Sequence, residues 1–551
     1  MASGDAELRF WSGIAPAEGG YPGFNPRTET KDGIVGHYDI AVPMRDGKKI
    51  YVDVFRPEAP GRYPALIAWS PYGKHGRTKY AWFPRCGVAD ADLSENTIFE
   101  GPDPKYWCPN GYAVINVDSR GAWNSEGDLT FMTEQEGQDG YDLIEWAAAQ
   151  DWSNGKLALV GVSYLAWSQW RIASTNPPHL AAINPWEGVS DFYRELAYHG
   201  GVPETFFVPG LKTFMSFTTT RVEDIAELVA EHTLFDDYWL SKNADLSQIQ
   251  VPAFVVASWS DQGLHTRGTL EGFRRISSPD KWLLVHGRKK WQFFYEHVEM
   301  QKHFFDKFLR GMDTEVDYWP KVSVEVRDRY YWGTFRGEDE WPLARTKYTE
   351  LFLNPSDKTM GWAPVAEQGQ VRYRVDDIAD KSQNAQFTVV FQEPIELTGY
   401  MKLKLWVQAD GSDDMDLFVA LEKVDRSGNV VHFPFFNCWD DGPTALGWLR
   451  VSHRELDDVR STPYQPFHPH TREVKLRESE IVPVEIEIWP SSTRFDAGEA
   501  LRVVVQGSDI YNYPNQWPTN AHERTVNRGQ HVIYAGGKYD SHLLVPVIPA
   551  T

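Results

Sequence analysis

Residues 157–170, LALVGVSYLAWSQW, decide the fold. Lys156–Val160 is a short apolar run entered from the turn Ser153-Asn154-Gly155, as expected of a strand buried in a parallel sheet. Beyond it Ala166, Trp170 and Ala173 recur at helical spacing, so a helix follows directly. The turn between them is Gly161-Val162-Ser163-Tyr164. Such a turn needs glycine where backbones crowd, and it raises the serine hydroxyl beside the first free N–H groups of the helix. Ser163 therefore suits a nucleophile, and equally a serine that caps those amides. The usual elbow has a small residue two after the serine, where this chain has Leu165.

Strands that read the same way flank this unit. Tyr38–Pro43 and Ile50–Phe55, joined through Arg45-Asp46-Gly47, form an expected antiparallel hairpin. Tyr63–Trp69, Tyr112–Val117, Leu180–Pro185, Val251–Trp259 and Trp282–Val285 are apolar runs that end in polar residues, and Gly137–Gln150 is a helix. This alternation predicts a mostly parallel sheet covered on both faces. Residues 191–250 interrupt it with a helical piece, Glu223–Phe235, expected as a cap over the strand ends, where open parallel sheets bind ligands. From Val322 onward short strand-like runs dominate, including Tyr348–Leu353, Met401–Val407, Asp416–Val424, Val484–Trp489, Leu501–Val505 and His531–Tyr534. The expected architecture is an α/β-hydrolase fold (1–190 and 251–320) with an inserted helical cap (191–250) and a C-terminal all-β jelly roll (321–551).

With 551 residues, 42% hydrophobic and 14% aromatic, the chain has material for several cores. Its formal charge of −22 argues against nucleic acid or an anionic membrane as the main partner. The three cysteines, Cys86, Cys108 and Cys438, form no disulfide framework or metal motif and are expected to be reduced thiols, although Cys86 and Cys108 could pair. There is no basic-then-apolar leader and no bilayer-length apolar run, so a cytoplasmic location is expected.

A serine needs a base, and the base needs an orienting acid; in α/β hydrolases the chain order is serine, acid, histidine. Asp191 and Asp261 are the acids at strand ends after Ser163. Asp261 follows the strand Val251–Trp259 directly, and the next strand delivers His286 at its end, with His265, His297 and His303 as rivals. The oxyanion donors expected are the Tyr164 N–H and the Tyr72 hydroxyl, on the loop after an earlier strand.

Asp118-Ser-Arg-Gly121, Ser125-Glu-Gly127, Asp151-Trp-Ser-Asn-Gly155 and GVSY, in this order, resemble the cocaine-esterase-like hydrolases related to X-Pro dipeptidyl-peptidases and α-amino-acid ester hydrolases. The likeness takes in Val42–Gly47, Ser70-Pro-Tyr72, Pro185–Tyr193, Trp259–Asp261 and Ile486–Gly498 leading into Leu501-Arg502. It implies a hydrolase domain, cap and jelly roll, with Ser163 as nucleophile, Asp261 as acid, and an oxyanion hole of Tyr72 and Tyr164. Two departures stand out. Ala166 replaces the usual glycine, and the family's histidine loop, Gly-Pro-Trp-x-His-like, is here Val285-His286-Gly287-Arg288-Lys289-Lys290. Aligned without a gap, a lysine takes the histidine's place; a shortened loop makes His286 the base, and that is the expectation adopted.

The expected function is therefore hydrolysis of a small carboxylic ester through an acyl-enzyme, without metal or cofactor. An amidase or X-Pro-type dipeptidyl-peptidase is the alternative, using Glu195, Glu204 or Glu223 to hold a substrate ammonium. A non-catalytic carbohydrate-binding or assembly protein is the reading from another class. Arg288, Lys289 and Lys290 suit ordinary ion pairs or a substrate carboxylate, Asp413-Asp414-Met415-Asp416 reads as a polar turn, and His468-Pro469-His470 lacks zinc partners. A homodimer is compatible with these features.

Overall fold

A computed structural model describes residues 8–21, 23–75, 83–89, 93–377, 380–514 and 516–550. Its first sheet is built from β1 (Arg27–Lys31), β2 (Ile34–Pro43), β3 (Lys49–Pro57), β4 (Tyr63–Ser70), β5 (Ala113–Asp118), β6 (Ser153–Val162), β7 (Leu180–Trp186), β8 (Ala253–Ser258), β9 (Lys281–His286) and β10 (Val322–Arg329). Pairing gives the order β1-β2-β3-β5-β4-β6-β7-β8-β9-β10, antiparallel up to β5 and parallel from there on. The middle strands are apolar on both faces because helices cover both: Leu157, Ala158, Leu159, Val160 and Val162 of β6 are all buried. The covering helices are α1 (Glu134–Ala148), α2 (Tyr164–Ala173), α5 (Thr266–Arg275), α6 (Lys290–Glu296) and α7 (Val298–Arg310). Between β7 and β8 come several short helical segments, the longest of them α3 (Ile225–Glu231) and α4 (Asp237–Lys242). Helix α3 is shorter than the expected Glu223–Phe235 because Arg221–Glu223 is a strand, paired with Phe10–Ser12 of the N-terminal arm.

The C-terminal part is all β, and its segment Ile395–Asp410 shows the reason. Met401, Leu403, Leu405, Val407 and Ala409 are buried while the residues between them are only half-buried, the period-two pattern of a sheet with one covered face. It pairs with Val482–Phe495, Gln530–Ala535 and His542–Ile548. Opposite lies Asn384–Val390, Ala500–Gln506, Asp416–Val424 and Ala445–Arg450, and the two inner faces enclose one apolar core. Strand β10, inside the segment assigned to the jelly roll, extends the parallel sheet beside β9 and meets Thr493 through Arg327. The two sheets are thus joined through β10.

The expectation of reduced thiols is corrected. Cys86 and Cys438 form a disulfide, and Cys108 is free and buried. A sequence separation of 352 hides the pair: Cys86 ends the turn Phe83–Cys86, and Cys438 lies on the jelly-roll loop between strands Phe433–Phe435 and Trp439–Gly442.

Candidate active site

Ser163 lies at the point where β6 becomes α2, with φ 59° and ψ −113°. A strained backbone here needs support, and its N–H donates to the Trp186 carbonyl at 3.0 Å while the Val162 N–H donates to the Glu100 carbonyl at 3.1 Å. Gly161 has φ +142°, and a Cβ there would stand 2.5 Å from the Leu165 Cβ. Glycine at 161 thus makes room for the bulky Leu165 that departs from the usual elbow. The Ser163 hydroxyl does not cap α2. It lies 3.1 Å from His265 Nε2 instead.

His265 is delivered by a tight turn, not by a strand end. The N–H groups of Leu264, His265 and Thr266 all donate to the Asp261 carbonyl, at 3.2, 3.2 and 3.3 Å, and α5 starts from there. This places His265 one helical turn after Asp261, with its Nδ1 hydrogen-bonded to Asp261 Oδ2. Asp261 is fully buried and His265 nearly so. The jelly roll clamps this turn: the Phe436 N–H donates to the Ser260 carbonyl at 2.8 Å, Gln262 Nε2 to the Pro490 carbonyl at 3.1 Å, and Asn520 Nδ2 to the Gly263 carbonyl at 3.3 Å. Gly263 has φ +85°, and a Cβ would lie 2.2 Å from Asn520 Nδ2, so a side chain here would strain the backbone and displace the Asn520 amide.

The structure does not bring His286 to Ser163. His286 closes β9 fully buried, with Nε2 3.2 Å from Glu187 Oε1, Nδ1 accepting the Arg288 N–H at 3.1 Å, and its ring stacked on Phe293 at 3.9 Å. Its side chain shares a face with its β8 neighbour Ser258, whose hydroxyl donates to Glu187 Oε2 at 2.7 Å, and so points behind the acid. Burial pushes His286 down to about 3. Of the other rivals, His297 stacks on Phe293 at 3.7 Å and His303 lies 3.3 Å from Glu315. The residue that the sequence reading passed over as part of a site is Lys290, at the start of α6 and 1% exposed. Its Nζ is 3.3 Å from Asp261 Oδ2 and 3.1 Å from His265 Nδ1. The gapless alignment, which sets a lysine in the family histidine's place, was the available signal.

The electrostatics follow from this packing. Burial alone would raise Asp261, but Lys290, His265 and the Asn437 amide outweigh it and hold the carboxyl well below its usual range. Burial and then Lys290 push His265 down to about 4, against the pull of Asp261. Glu187 is driven well above the carboxylate range by burial and by Asp261, and burial lifts Glu100 to about 8. The resting site therefore holds one ion pair, Asp261 with Lys290, beside a neutral imidazole.

Ser163 opens into a pocket walled by Tyr72, Phe99, Phe207, Leu211, Phe214, Leu264, Trp291, Phe436 and Trp517, with Glu100, Lys290 and Asn437 as its polar members. Phe207 and Trp517 stack at 4.7 Å, so the cap and the jelly roll together form the wall. Tyr72 stands on the loop after β4, its ring 6.0 Å from that of Tyr164. The Tyr164 hydroxyl turns away and donates to both Glu136 oxygens at 3.0 and 3.1 Å. Its backbone N–H is among the first of α2, which have no acceptor inside the helix.

Other candidate groups are committed elsewhere. Glu195 takes Arg267 at 2.8 Å, Glu204 accepts the N–H groups of Phe206, Phe207 and Val208, and Glu223 holds Lys242 at 2.5 Å. Arg288 pairs with Glu325 and Lys289 with Asp440. Asp414 and Asp416 bind Lys475 and Arg450, and His468 bonds two carbonyls. Asp39, Asp53 and His75 cluster closely enough for a metal, but the Lys74 ammonium occupies their centre, 3.1 Å from Asp53.

A hydroxyl, an imidazole and a buried carboxylate in hydrogen-bonded series, on an α/β-hydrolase sheet, define a serine hydrolase. Comparison with known proteins narrows the class. Residues 46–227 match the X-Pro dipeptidyl-peptidase (S15 family) model, and residues 314–544 match the X-Pro dipeptidyl-peptidase C-terminal non-catalytic domain. A CocE/NonD family hydrolase structure from Staphylococcus aureus is 44% identical, covering 95% of this chain and 97% of that one with a TM-score of 0.90. The chain belongs to the CocE/NonD family of hydrolases. Cocaine esterase of Rhodococcus sp. (strain MB1 Bresler) is 25% identical over 93% of this chain and 99% of its own. An α-amino acid ester hydrolase structure, 16% identical with a TM-score of 0.70 over 95% of this chain and 98% of its own, shares the fold.

Proposed function

We propose that this chain is a serine carboxylesterase in which Ser163 is the nucleophile, His265 the general base and Asp261 the orienting acid. The observation that carries the reading is the series Ser163 Oγ, His265 Nε2, His265 Nδ1, Asp261 Oδ2 at the floor of an apolar cavity. His265 takes the hydroxyl proton as Ser163 Oγ attacks the ester carbonyl. The Tyr72 hydroxyl and Tyr164 N–H donate to the oxyanion that forms. His265 then gives its proton to the departing alkoxide, and the acyl-enzyme remains. Water, deprotonated by the same imidazole, attacks the acyl carbon; the acid leaves and Ser163 regains its proton.

Esters are favoured over N-terminal peptides by the fate of the cap carboxylates. A peptidase that measures from a free ammonium needs a carboxylate to receive it, and Glu195, Glu204 and Glu223 already serve Arg267, backbone amides and Lys242. The cavity wall is aromatic and apolar, which suits an acyl group without charge. Among the described residues no helix is long and apolar enough to cross a membrane, and the Cys86–Cys438 disulfide counts against the cytoplasmic location expected from the sequence.

The test is a set of three variants assayed on p-nitrophenyl esters of increasing acyl length and on the matched anilides, with circular dichroism to verify folding. Ser163→Ala and His265→Ala should each lower kcat by about 10⁴-fold or more, while folded His286→Ala should stay within about tenfold of the native enzyme. Fluorophosphonate should label Ser163 alone. A His265→Ala enzyme of near-normal rate would overturn the base assignment, and faster anilide than ester turnover would move the reading to a peptidase.

A further inference from the structure

The feature that this mechanism leaves unused is the buried ammonium beside its acid and base. We propose that Lys290 is a positioning residue: wedged against both Asp261 and His265, its ammonium opposes protonation of the resting imidazole and extends hydrolysis into mildly acidic solution. The inference rests on His265 being the base.

The geometry carries it. Lys290 Nζ lies 3.1 Å from His265 Nδ1 and 3.3 Å from Asp261 Oδ2, on the side of the imidazole away from Ser163. The ammonium has three protons and no lone pair, so the carboxylate and not the protonated imidazole is its partner. Protonation at Nε2 spreads a second positive charge over the ring against the Lys290 ammonium, at a buried position where screening is weak. The groups that face the pair from the other elements do not cancel this charge. Ser163 approaches from the β6–α2 turn, Asn437 from the jelly roll, Glu187 from the end of β7, Glu100 from the loop before β5, and His286 from β9. Over the acid range in question burial keeps Glu100 and Glu187 protonated and His286 neutral. Among the described residues His265 therefore meets one anion, Asp261, and one cation, Lys290. The direction agrees with the imidazole being pushed down to about 4, burial first and Lys290 next.

The lysine also changes the balance during turnover. It disfavours the imidazolium of the transition state as well as that of the resting enzyme, so it costs some rate at alkaline pH and preserves activity at acidic pH. A merely structural lysine would give neither effect.

The experiment is the pH dependence of Ser163 phosphonylation by a fluorophosphonate and of kcat/KM on p-nitrophenyl butyrate, for native enzyme, Lys290→Met, Lys290→Gln and Lys290→Arg. The native acid limb should lie below pH 5.5. Both neutral variants should move it up by at least about one unit, so that rates below the limb drop about tenfold per unit while the plateau above pH 8 stays within a few-fold. Arginine should keep the native limb. A native limb at or above pH 6, or a limb that stays in place in a folded neutral variant, overturns the proposal. So does failure of both neutral variants to fold while arginine folds, which would make Lys290 a folding residue. Loss of the base assignment is distinguished separately, by activity in His265→Ala.

Discussion

Opening the Cys86–Cys438 bond should loosen the protein globally and its substrate cavity locally. The global part follows from chain entropy: cross-linking residues 352 apart restricts the unfolded chain by about 6 kcal/mol at 25 °C in the loop-closure model. Unfolding entropy near 2.1 cal/mol/K per residue, over 551 residues, is about 1.2 kcal/mol/K, so that loss lowers Tm by about 5 °C. The local part follows from position. Cys438 is next to Asn437, which has φ 62°, lines the cavity and faces Asp261, and Cys86 closes the turn whose Phe83 packs on Trp291. Reduction should therefore lower kcat as well as Tm. The assay is a thiol count on denatured protein, trapped with iodoacetamide on lysis, followed by thermal scans with and without reductant and of Cys86→Ser. One reactive thiol, Cys108, is expected before reduction and three after it. Three thiols at the outset, or a Cys86→Ser midpoint equal to the native one, would refute the reasoning. The count also bears on location, because a stable disulfide belongs to an oxidising compartment and three free thiols to the cytoplasm.

Two further outcomes are expected. Tyr72→Phe should lower kcat by about 10²- to 10³-fold with little change in KM if the hydroxyl donates to the oxyanion, and an unchanged kcat would remove Tyr72 from that role. Mild acid should destabilise the fold. His199, His286 and His531 are pushed to about 3 and His265 and His453 to about 4, burial first in each case, against about 6.5 in the unfolded chain. The sign follows from proton counts: below pH 6.5 the unfolded chain binds protons that the folded one refuses, so stability is full above that value and falls as pH drops toward 4, by up to about 1.4 kcal/mol per unit for each group. Glu100, Glu195 and Asp118, raised to about 8, 7 and 6, and Glu187, driven well above its usual range, act oppositely and offset part of the loss from these five histidines and from His470, which burial pushes well below its usual range. A Tm at pH 5 equal to that at pH 7 would contradict the sum.

The scaffold was legible because its signals are local. The apolar runs of β4, β5, β7, β8 and β9, and the glycine turn before Ser163, specify buried parallel strands and an elbow within a few residues each. The cavity was not, since Phe207, Phe436 and Trp517 come together only through tertiary packing. The histidine is the instructive case. A strand-end position points to His286, yet strand register sends its ring to Glu187, while the spacing of Asp261 and His265 by four residues encodes one helical turn between a carboxylate and the imidazole that meets Ser163. What the chemistry constrains is the position of one imidazole nitrogen against Ser163 Oγ and of the other against a carboxylate, and two different loops can satisfy that. If, as proposed, the turn after β8 supplies the imidazole, the next loop is released from that task but still ends against Asp261. Lys290 there places its Nζ 3.3 Å from a buried carboxylate that would otherwise face only the imidazole and the Asn437 amide. On the proposed assignment His265 and Lys290 therefore divide one carboxylate oxygen between them, the imidazole taking its hydrogen bond and the ammonium its charge.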